Sequence, residues 1–262
     1  MPPPAAPDRA PPALRVAAWR AIPGLTHGFF GRAGGVSTGA LASLNLSSLV
    51  GDDPAAVQTN WRQVGRAVPA TAIVRMRQVH GARVVPVEHA EQVVGDADGL
   101  ATTVAGLALA VLTADCVPLL CIAPAHGAVM ALHAGWRGTL AGIAAVALEQ
   151  AQQRLGIAPA EWQVALGPSI DACCYEVEAP LGARMVERWG AMPDAWRPAG
   201  AHGQLGLRQV NRRILLEQGV PDDQIMIIGP CTACEHGAYF SHRRSAGLAG
   251  RQASLIALTR PA

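Results

Sequence analysis

The chain has 262 residues, half of them hydrophobic, with a net charge of +2 and few aromatic residues. A core can be buried at this length without a partner, whereas nucleic-acid binding through a basic footprint is disfavoured; the slight basic excess suits a small anionic substrate. The longest apolar stretch, residues 107–120, is interrupted by Asp115 and too short to cross a bilayer. Six cysteines are present, and a protein of this size needs no disulfide scaffold, so each is expected as a free thiol in a cytoplasmic protein.

Residues 1–15 are rich in Pro and Ala and lack an apolar signal core, and are expected to be a disordered tail ahead of one catalytic domain over 16–262. Residues 25–30 read as a strand ending in the Gly-rich turn Gly31-Arg32-Ala33-Gly34-Gly35. Asp53 before Pro54 starts a helix, an acceptor at the N-cap and a proline at N1, running to about Arg66 with Trp61 and Val64 on one face. Two strands, 73–79 and 83–87, flank a turn at His80-Gly81. The apolar runs LALAVLTAD, VPLLCIAP and AVMALH read as buried strands of one sheet. Residues 139–155 form the clearest amphipathic helix, with Leu140, Ile143, Ala147, Ala151 and Leu155 on one face and Gly156 closing it. A strand over 163–166 meets a Gly167-Pro168 turn, helices follow over 180–189 and 207–218, then an IMIIG strand, and 251–258 is either strand or helix. No regular βαβ repeat emerges, so the fold class is α+β, with mixed sheets flanked by helices.

Three polar residues interrupt the apolar runs. His80 lies at a strand-to-strand turn, Cys116 follows one apolar strand, and His133 closes the next strand but one. Ends of neighbouring strands can converge, and one thiolate with two imidazoles suits a single zinc, leaving a fourth position for water or substrate. Against this, a lone strand-end His is commonly just hydrogen-bonded and a lone Cys an inert small hydrophobe, and no close His-x-x-x-His or Cys-x-x-Cys pair anchors the triad. The rival cluster is Cys231-x-x-Cys234-x-His236, half of a structural zinc site or a redox dithiol. With no second Cys-x-x-Cys, and with Cys173 and Cys174 adjacent and therefore opposed on a strand, it reads as a loop with ordinary thiols. The Gly31–Gly35 turn with Arg32 could cradle phosphate or be a plain turn. Arg137 suits an anion or a surface salt bridge, and Asp98 and Asp115 suit acid/base work or a cap or turn.

The segments around these residues carry a resemblance. Arg77-Gln78-Val79-His80-Gly81, Asp96-Ala97-Asp98-Gly99-Leu100, Thr113-Ala114-Asp115-Cys116-Val117-Pro118 and His133-Ala134-Gly135-Trp136-Arg137-Gly138 occur in that order. With them come Phe30-Gly31-Arg32, Gly34-Gly35-Val36-Ser37, Ser43-Leu44-Asn45-Leu46, Gly51-Asp52-Asp53, Gly167-Pro168-Ser169-Ile170, Cys231-Thr232 and Phe240-Ser241-His242-Arg243-Arg244. Together, over residues 26–250, they resemble the family named variously as polyphenol oxidoreductase (laccase), purine nucleoside phosphorylase and peptidoglycan editing factor. The resemblance implies zinc ligands at His80, Cys116 and His133, the residues ligand type also picks out, and a fold related to cysteine-hydrolase-like toxins. The substrate-binding candidates are Arg32, Asn45, Asp98, Asp115 and Arg137. Gly206, between Leu205 and Leu207, stands where an acidic residue is expected.

A true multicopper oxidase is excluded on chemical grounds. Copper could occupy a two-His, one-Cys set in vitro, but the chain has no His-x-His pair and only eight histidines, and one metal cannot collect four electrons for oxygen reduction. The resemblance implies instead phosphorolysis of adenosine, inosine, guanosine and methylthioadenosine, with adenosine deamination, on small-molecule substrates (a purine nucleoside and phosphate); charge and apolar-stretch length lead to no expected nucleic-acid or membrane partner. Two alternatives stand beside it: a metal-free hydrolase of cell-wall precursors with Cys116 as nucleophile and His133 as base, and a non-catalytic zinc-stabilised binding protein.

Overall fold

Burial on both faces of the central strands explains the architecture. In the computed structural model, which describes residues 10–259, every residue of the strand Val117–Ala123 is buried, and its two faces serve different cores. Val117, Leu119 and Cys121 pack against helices, while Leu120 and Ile122 meet a second sheet. Period-2 alternation therefore vanishes from the sequence pattern because both faces are apolar.

In chain order the strands are β1 (Ala13–Leu14), β2 (Leu25–Phe30), β3 (Ala72–Val74), β4 (Val84–Pro86), β5 (Gly99–Thr102), β6 (Leu107–Thr113), β7 (Val117–Ala123), β8 (Ala128–Ala134), β9 (Gln163–Leu166), β10 (Glu176–Glu178), β11 (Trp196–Ala199), β12 (His202–Leu205), β13 (Ile225–Ile227) and β14 (Gln252–Leu258). The helices are α1 (Pro54–Ala67), α2 (Trp136–Ala141), α3 (Ile143–Leu155), α4 (Ala179–Trp189) and α5 (Leu207–Glu217). A five-stranded sheet runs β1-β2-β14-β6-β3 and a six-stranded sheet β13-β9-β7-β8-β5-β4, with β10-β12-β11 as a small third sheet. Both large sheets are antiparallel at their centres and end on parallel pairs, β3 with β6 in one and β4 with β5 and β13 with β9 in the other. The large sheets face each other across Phe29, Leu109, Val111, Leu120, Ile122, Val129 and Ile256. Helix α1 covers the outer face of the five-stranded sheet through Val64, and α3 and α5 cover the outer face of the other. The α+β class with mixed sheets is as expected. Among the described residues no helix is long and apolar enough to cross a membrane.

Three expectations need correction, and one open alternative is resolved. Residues 1–9 of the expected tail lie outside the described residues, but its end is structured: Ala13 and Leu14 pair with Phe30 and Phe29. LALAVLTAD does not join the sheet of the next two runs. β6 pairs with β14 and β3, and the chain crosses between sheets at residues 114–116; hydrophobic pattern identifies a buried strand but not its neighbour. The segment 251–258 resolves as strand β14, in the middle of its sheet between β2 and β6. The helix expected over 139–155 is two helices. Gly142 sits between them at φ 80°, a left-handed conformation that suits glycine, and an added Cβ would come within 2.9 Å of the Trp189 ring.

Smaller differences have local causes. Asp53 caps α1 as expected, its side chain accepting from the Ala55 N–H at 2.9 Å. Gly206 precedes α5 without a side-chain cap, so an acidic residue there would act as a helix N-cap. Cys173 and Cys174 lie in a turn, not a strand, with Cys174 N–H donating to the Asp171 carbonyl. Replacing Gly142 by Ala should lower unfolding stability by about 1–3 kcal/mol, from the left-handed backbone and the ring contact together. Urea titration would check this, and an unchanged midpoint would show that Trp189 and the backbone relax freely.

Candidate metal centre

Each member of the triad is placed by a different accident of the chain path. His80 lies in the loop between β3 and β4 with φ 62°. Cys116 follows Asp115 (φ 88°), at the point where the chain crosses from β6 to β7. His133 lies in β8 and faces Pro118 of β7 in register, so its ring is brought beside Cys116. The three ligand atoms all lie within 4.8 Å of one another, and the His80 and His133 rings stand edge-to-face at 4.9 Å. Gly135 is needed where it is: a Cβ there would approach Cys116 Sγ to 2.9 Å and His80 Cδ2 to 3.0 Å.

Asp98 organises the set. Fully buried at 0% exposure, its carboxylate accepts from the N–H groups of Val79 (3.2 Å), His80 (2.9 Å) and Gly81 (2.6 Å) and pairs with His133 Nδ1 at 2.8 Å. Its main-chain carbonyl also accepts from His133 N–H at 2.7 Å. One side chain thus fixes both the His80 turn and the His133 ring, leaving Nε2 of His133 to face Cys116. Burial pushes the Asp98 carboxyl up, but the bonds from His133, Gly81 and His80 outweigh it and hold it below the ordinary carboxylate range. Burial likewise pushes the Cys116 thiol up, yet the charge and hydrogen bonds of His133 and His80 bring it down to about 6. Burial pulls His133 down, while the Cys116 thiolate and Asp98 raise it to about 9. Without metal, each member of the pair thus favours the charged form of the other.

This donor set fits a divalent ion such as zinc. A thiolate and two imidazoles are the right chemistry, bonds of about 2.0–2.3 Å can bridge their spacing, and a carboxylate behind a ligating His is the usual way its ring is held. Exposure runs from buried His133 through half-buried Cys116 to exposed His80, so the set opens to solvent on the His80 side.

The other candidate residues divide. Asp115 is brought beside Cys116 but is occupied, accepting from Thr232 Oγ1 and the Arg243 N–H, both at 2.7 Å. Asp98 and Asp115 therefore position other groups and are not free acids. Arg32 donates to the carbonyls of Ala42 and His236 and lies over the Phe240 ring, which gives it a loop-tethering task in place of a phosphate cradle. Asn45 is fully enclosed, its amide engaged with Ser47, Asp52 and Arg251, and faces no open space. Arg137 is exposed and stacks on Trp136 at 4.2 Å, available to an anion. Sequence reasoning missed Tyr175, which feels the charges of Cys116, Arg243, Asp115 and Arg137, and Arg243, stacked on Tyr175 at 5.0 Å. The Phe240-Ser241-His242-Arg243-Arg244 segment was the available signal for Arg243; Tyr175 carried none. Two surface cavities, one beside α3 and β4 and one beside β3 and β6, do not include the triad.

Asp98→Ala should destabilise the fold by about 3–5 kcal/mol by leaving His133 and three N–H groups without their acceptor, and should weaken metal binding about 10–100-fold; chelator competition and urea unfolding measure the two, and wild-type values for both would dismiss the hub. In metal-free protein the lowered thiol pKa makes the Cys116 thiolate present above pH about 6. Alkylation by iodoacetamide should therefore rise through pH about 6 and level off, and zinc should protect against it; a midpoint near the ordinary thiol value of about 8.5 would contradict the pairing.

The chain matches the family described as multi-copper polyphenol oxidoreductase laccase over residues 26–259. It is 40% identical to purine nucleoside phosphorylase YlmD of Geobacillus stearothermophilus over 254 residues, covering 90% of this chain and 89% of that protein. It is 37% identical to a purine nucleoside phosphorylase of Deinococcus radiodurans over 247 residues, 89% of each. The crystal structure of Geobacillus stearothermophilus YlmD superposes with a TM-score of 0.87 at 35% identity, over 95% of this chain and 99% of that one. The hypothetical protein YfiH of Bacillus licheniformis gives 0.88 at 32% identity, over 95% and 97%. With the match running through every strand of both large sheets except β1, the chain belongs to the multi-copper polyphenol oxidoreductase laccase family.

Proposed function

We propose that the chain is a zinc-dependent purine nucleoside enzyme, cleaving adenosine, inosine, guanosine and methylthioadenosine with phosphate to free base and ribose 1-phosphate (the methylthio sugar phosphate in the last case), and deaminating adenosine. The observation that carries the reading is the His80–Cys116–His133 set, open on one side and braced by Asp98, in a chain similar throughout to proteins named purine nucleoside phosphorylases. Six free cysteines suit a cytoplasmic setting.

His80, Cys116 and His133 would hold the ion, which when bound supplies Lewis acidity and lowers the pKa of water. In phosphorolysis a phosphate oxygen bonds to the anomeric carbon, the C–N bond breaks, and the departing purine keeps the electron pair and takes up a proton. Arg137, exposed on its Trp136 platform, suits the phosphate better than Arg32, whose guanidinium is tied to backbone carbonyls. Asp98 and Asp115 act as positioning residues: the first sets the His133 ring, the second ties Thr232 and Arg243 to the Cys116 turn. In deamination water replaces the amino group and ammonia leaves.

One observation favours a second reading. Metal-free, Cys116, His133 and Asp98 form a nucleophile, base and orienting carboxylate in sequence, the arrangement of a cysteine hydrolase acting on cell-wall precursors in a fold related to cysteine-hydrolase-like toxins. The two readings differ in what stops them. Adenosine with phosphate should yield adenine and ribose 1-phosphate, with inosine formed independently of phosphate. Chelation, His80→Ala or Cys116→Ala should lower both rates by about 100-fold or more, and zinc should restore the chelated enzyme. Base release that ignores phosphate would replace phosphorolysis by hydrolysis of the nucleoside, and activity that survives exhaustive chelation but not alkylation would transfer the assignment to the thiol hydrolase. Zinc bound without turnover of any nucleoside would leave a zinc-stabilised binding protein.

A further inference from the structure

The chain brings a second group of metal-binding side chains together, away from the triad and built from different segments. Cys173, Cys174, Cys231 and Cys234 place their four sulfur atoms within 4.8 Å of one another. Cys234 Sγ lies 3.4 Å from Cys174 Sγ and 3.6 Å from Cys173 Sγ. Those distances are far from the ~2.05 Å of a disulfide. They are close to the edge of a tetrahedron of sulfurs about 2.3 Å from a central ion, which is roughly 3.8 Å.

The backbone supports the same reading. Residues 231–234 form a Cys-x-x-Cys turn, and from the other segment the Asp171 N–H donates to the Cys231 sulfur at 3.4 Å. N–H donors around a sulfur stabilise a ligating thiolate. Adjacent cysteines would point apart on a strand, but here a turn closed on the Asp171 carbonyl by the N–H groups of Cys174 and Tyr175 swings both toward Cys234. The two segments are also stitched by Thr232 N–H donating to the Ser169 carbonyl and by Arg208 of α5, which pairs with Asp171 and donates to the Gly229 carbonyl. His236 is exposed and stands outside the group, its carbonyl taken by Arg32.

We propose that Cys173, Cys174, Cys231 and Cys234 form a closed four-thiolate site for one structural zinc ion. All four ligands come from the chain and none is left for solvent, which marks a structural site and not a catalytic one. Its mechanical role follows from what flanks it. Tyr175 follows one ligand and Thr232 another; Thr232 bonds Asp115 next to Cys116, and Arg243 bonds the carbonyls of Cys174 and Glu176. The ion would clamp the two loops that wall the His80–Cys116–His133 centre. This inference does not depend on which reaction that centre performs.

Full-length protein purified without added metal should contain about two zinc ions per chain by elemental analysis, and the Cys174→Ser/Cys234→Ser double variant about one. In the His80→Ala/His133→Ala variant, zinc should remain at about one, and replacement by cobalt should give near-ultraviolet sulfur-to-metal charge-transfer bands of four-thiolate strength. That cobalt spectrum decides the matter if the cysteine variant fails to fold, and it separates this site from the triad, whose loss it tolerates. Four thiols reacting freely with a disulfide reagent in native protein, a cystine among these residues by mass spectrometry, iron in place of zinc, or a cobalt spectrum without thiolate bands would each overturn the proposal.

Discussion

A carboxylate buried where no water reaches it must be compensated on all sides, and Asp98 is compensated by the parts of the protein that make its site. Three consecutive N–H groups of the His80 turn and the ring of His133 converge on it. The turn's unusual backbone at His80 (φ 62°) is thereby held by hydrogen bonds that a carboxylate gathers better than any neutral acceptor. Because the same oxygen that bonds the His80 N–H also bonds His133, neither histidine can shift without disturbing the other. The exposed and the buried ligand are in this sense one unit. His27 shows the contrast: it too is buried, but its Nε2 accepts from the Val16 N–H, and burial with nearby Arg15 lowers its pKa to about 4. It is a neutral structural histidine with no carboxylate behind it.

The second constraint is the crossing between sheets. Residues 114–116 leave the five-stranded sheet and enter the six-stranded one, and both Asp115 and Cys116 lie on that crossing. Asp115 adopts φ 88° and holds Thr232 and Arg243, so a distant part of the chain is fastened at the point where the thiol emerges. The wall of the centre is therefore made from loops that the sheets only partly determine. Side-chain links across 117 and 128 residues of sequence separation complete it.

Much of this was legible in the residues. The strands β2, β7 and β8, the capped start of α1, and the convergence of His80, Cys116 and His133 follow from apolar runs, turn chemistry and ligand type. What was not legible has a common physical cause: information that resides in partners. The membership of β6 in one sheet and β7 in the other depends on which neighbour each finds, not on either's hydrophobicity. The hairpin of β11 and β12 is too polar to register, since only Gly203 and Leu205 of β12 are buried. Asp98 looks like a general acid in one dimension and becomes a hub only when four donors surround it. Cys173 and Cys174 look opposed until the turn that contains them is seen.

The position of β14 bears on how the molecule comes into being. It lies between β2 and β6, antiparallel to both, yet a growing polypeptide exposes both neighbours long before β14 leaves the ribosome. Until then β2 and β6 present facing edges with unpaired N–H and C=O groups, the state most open to pairing with another chain. The six-stranded sheet has no such gap at its centre, since β7 and β8 are consecutive and β9 follows them. Synthesis thus favours an order in which the sheet carrying Asp98 and His133 forms first and the other closes last, with the nascent chain needing protection in the interval.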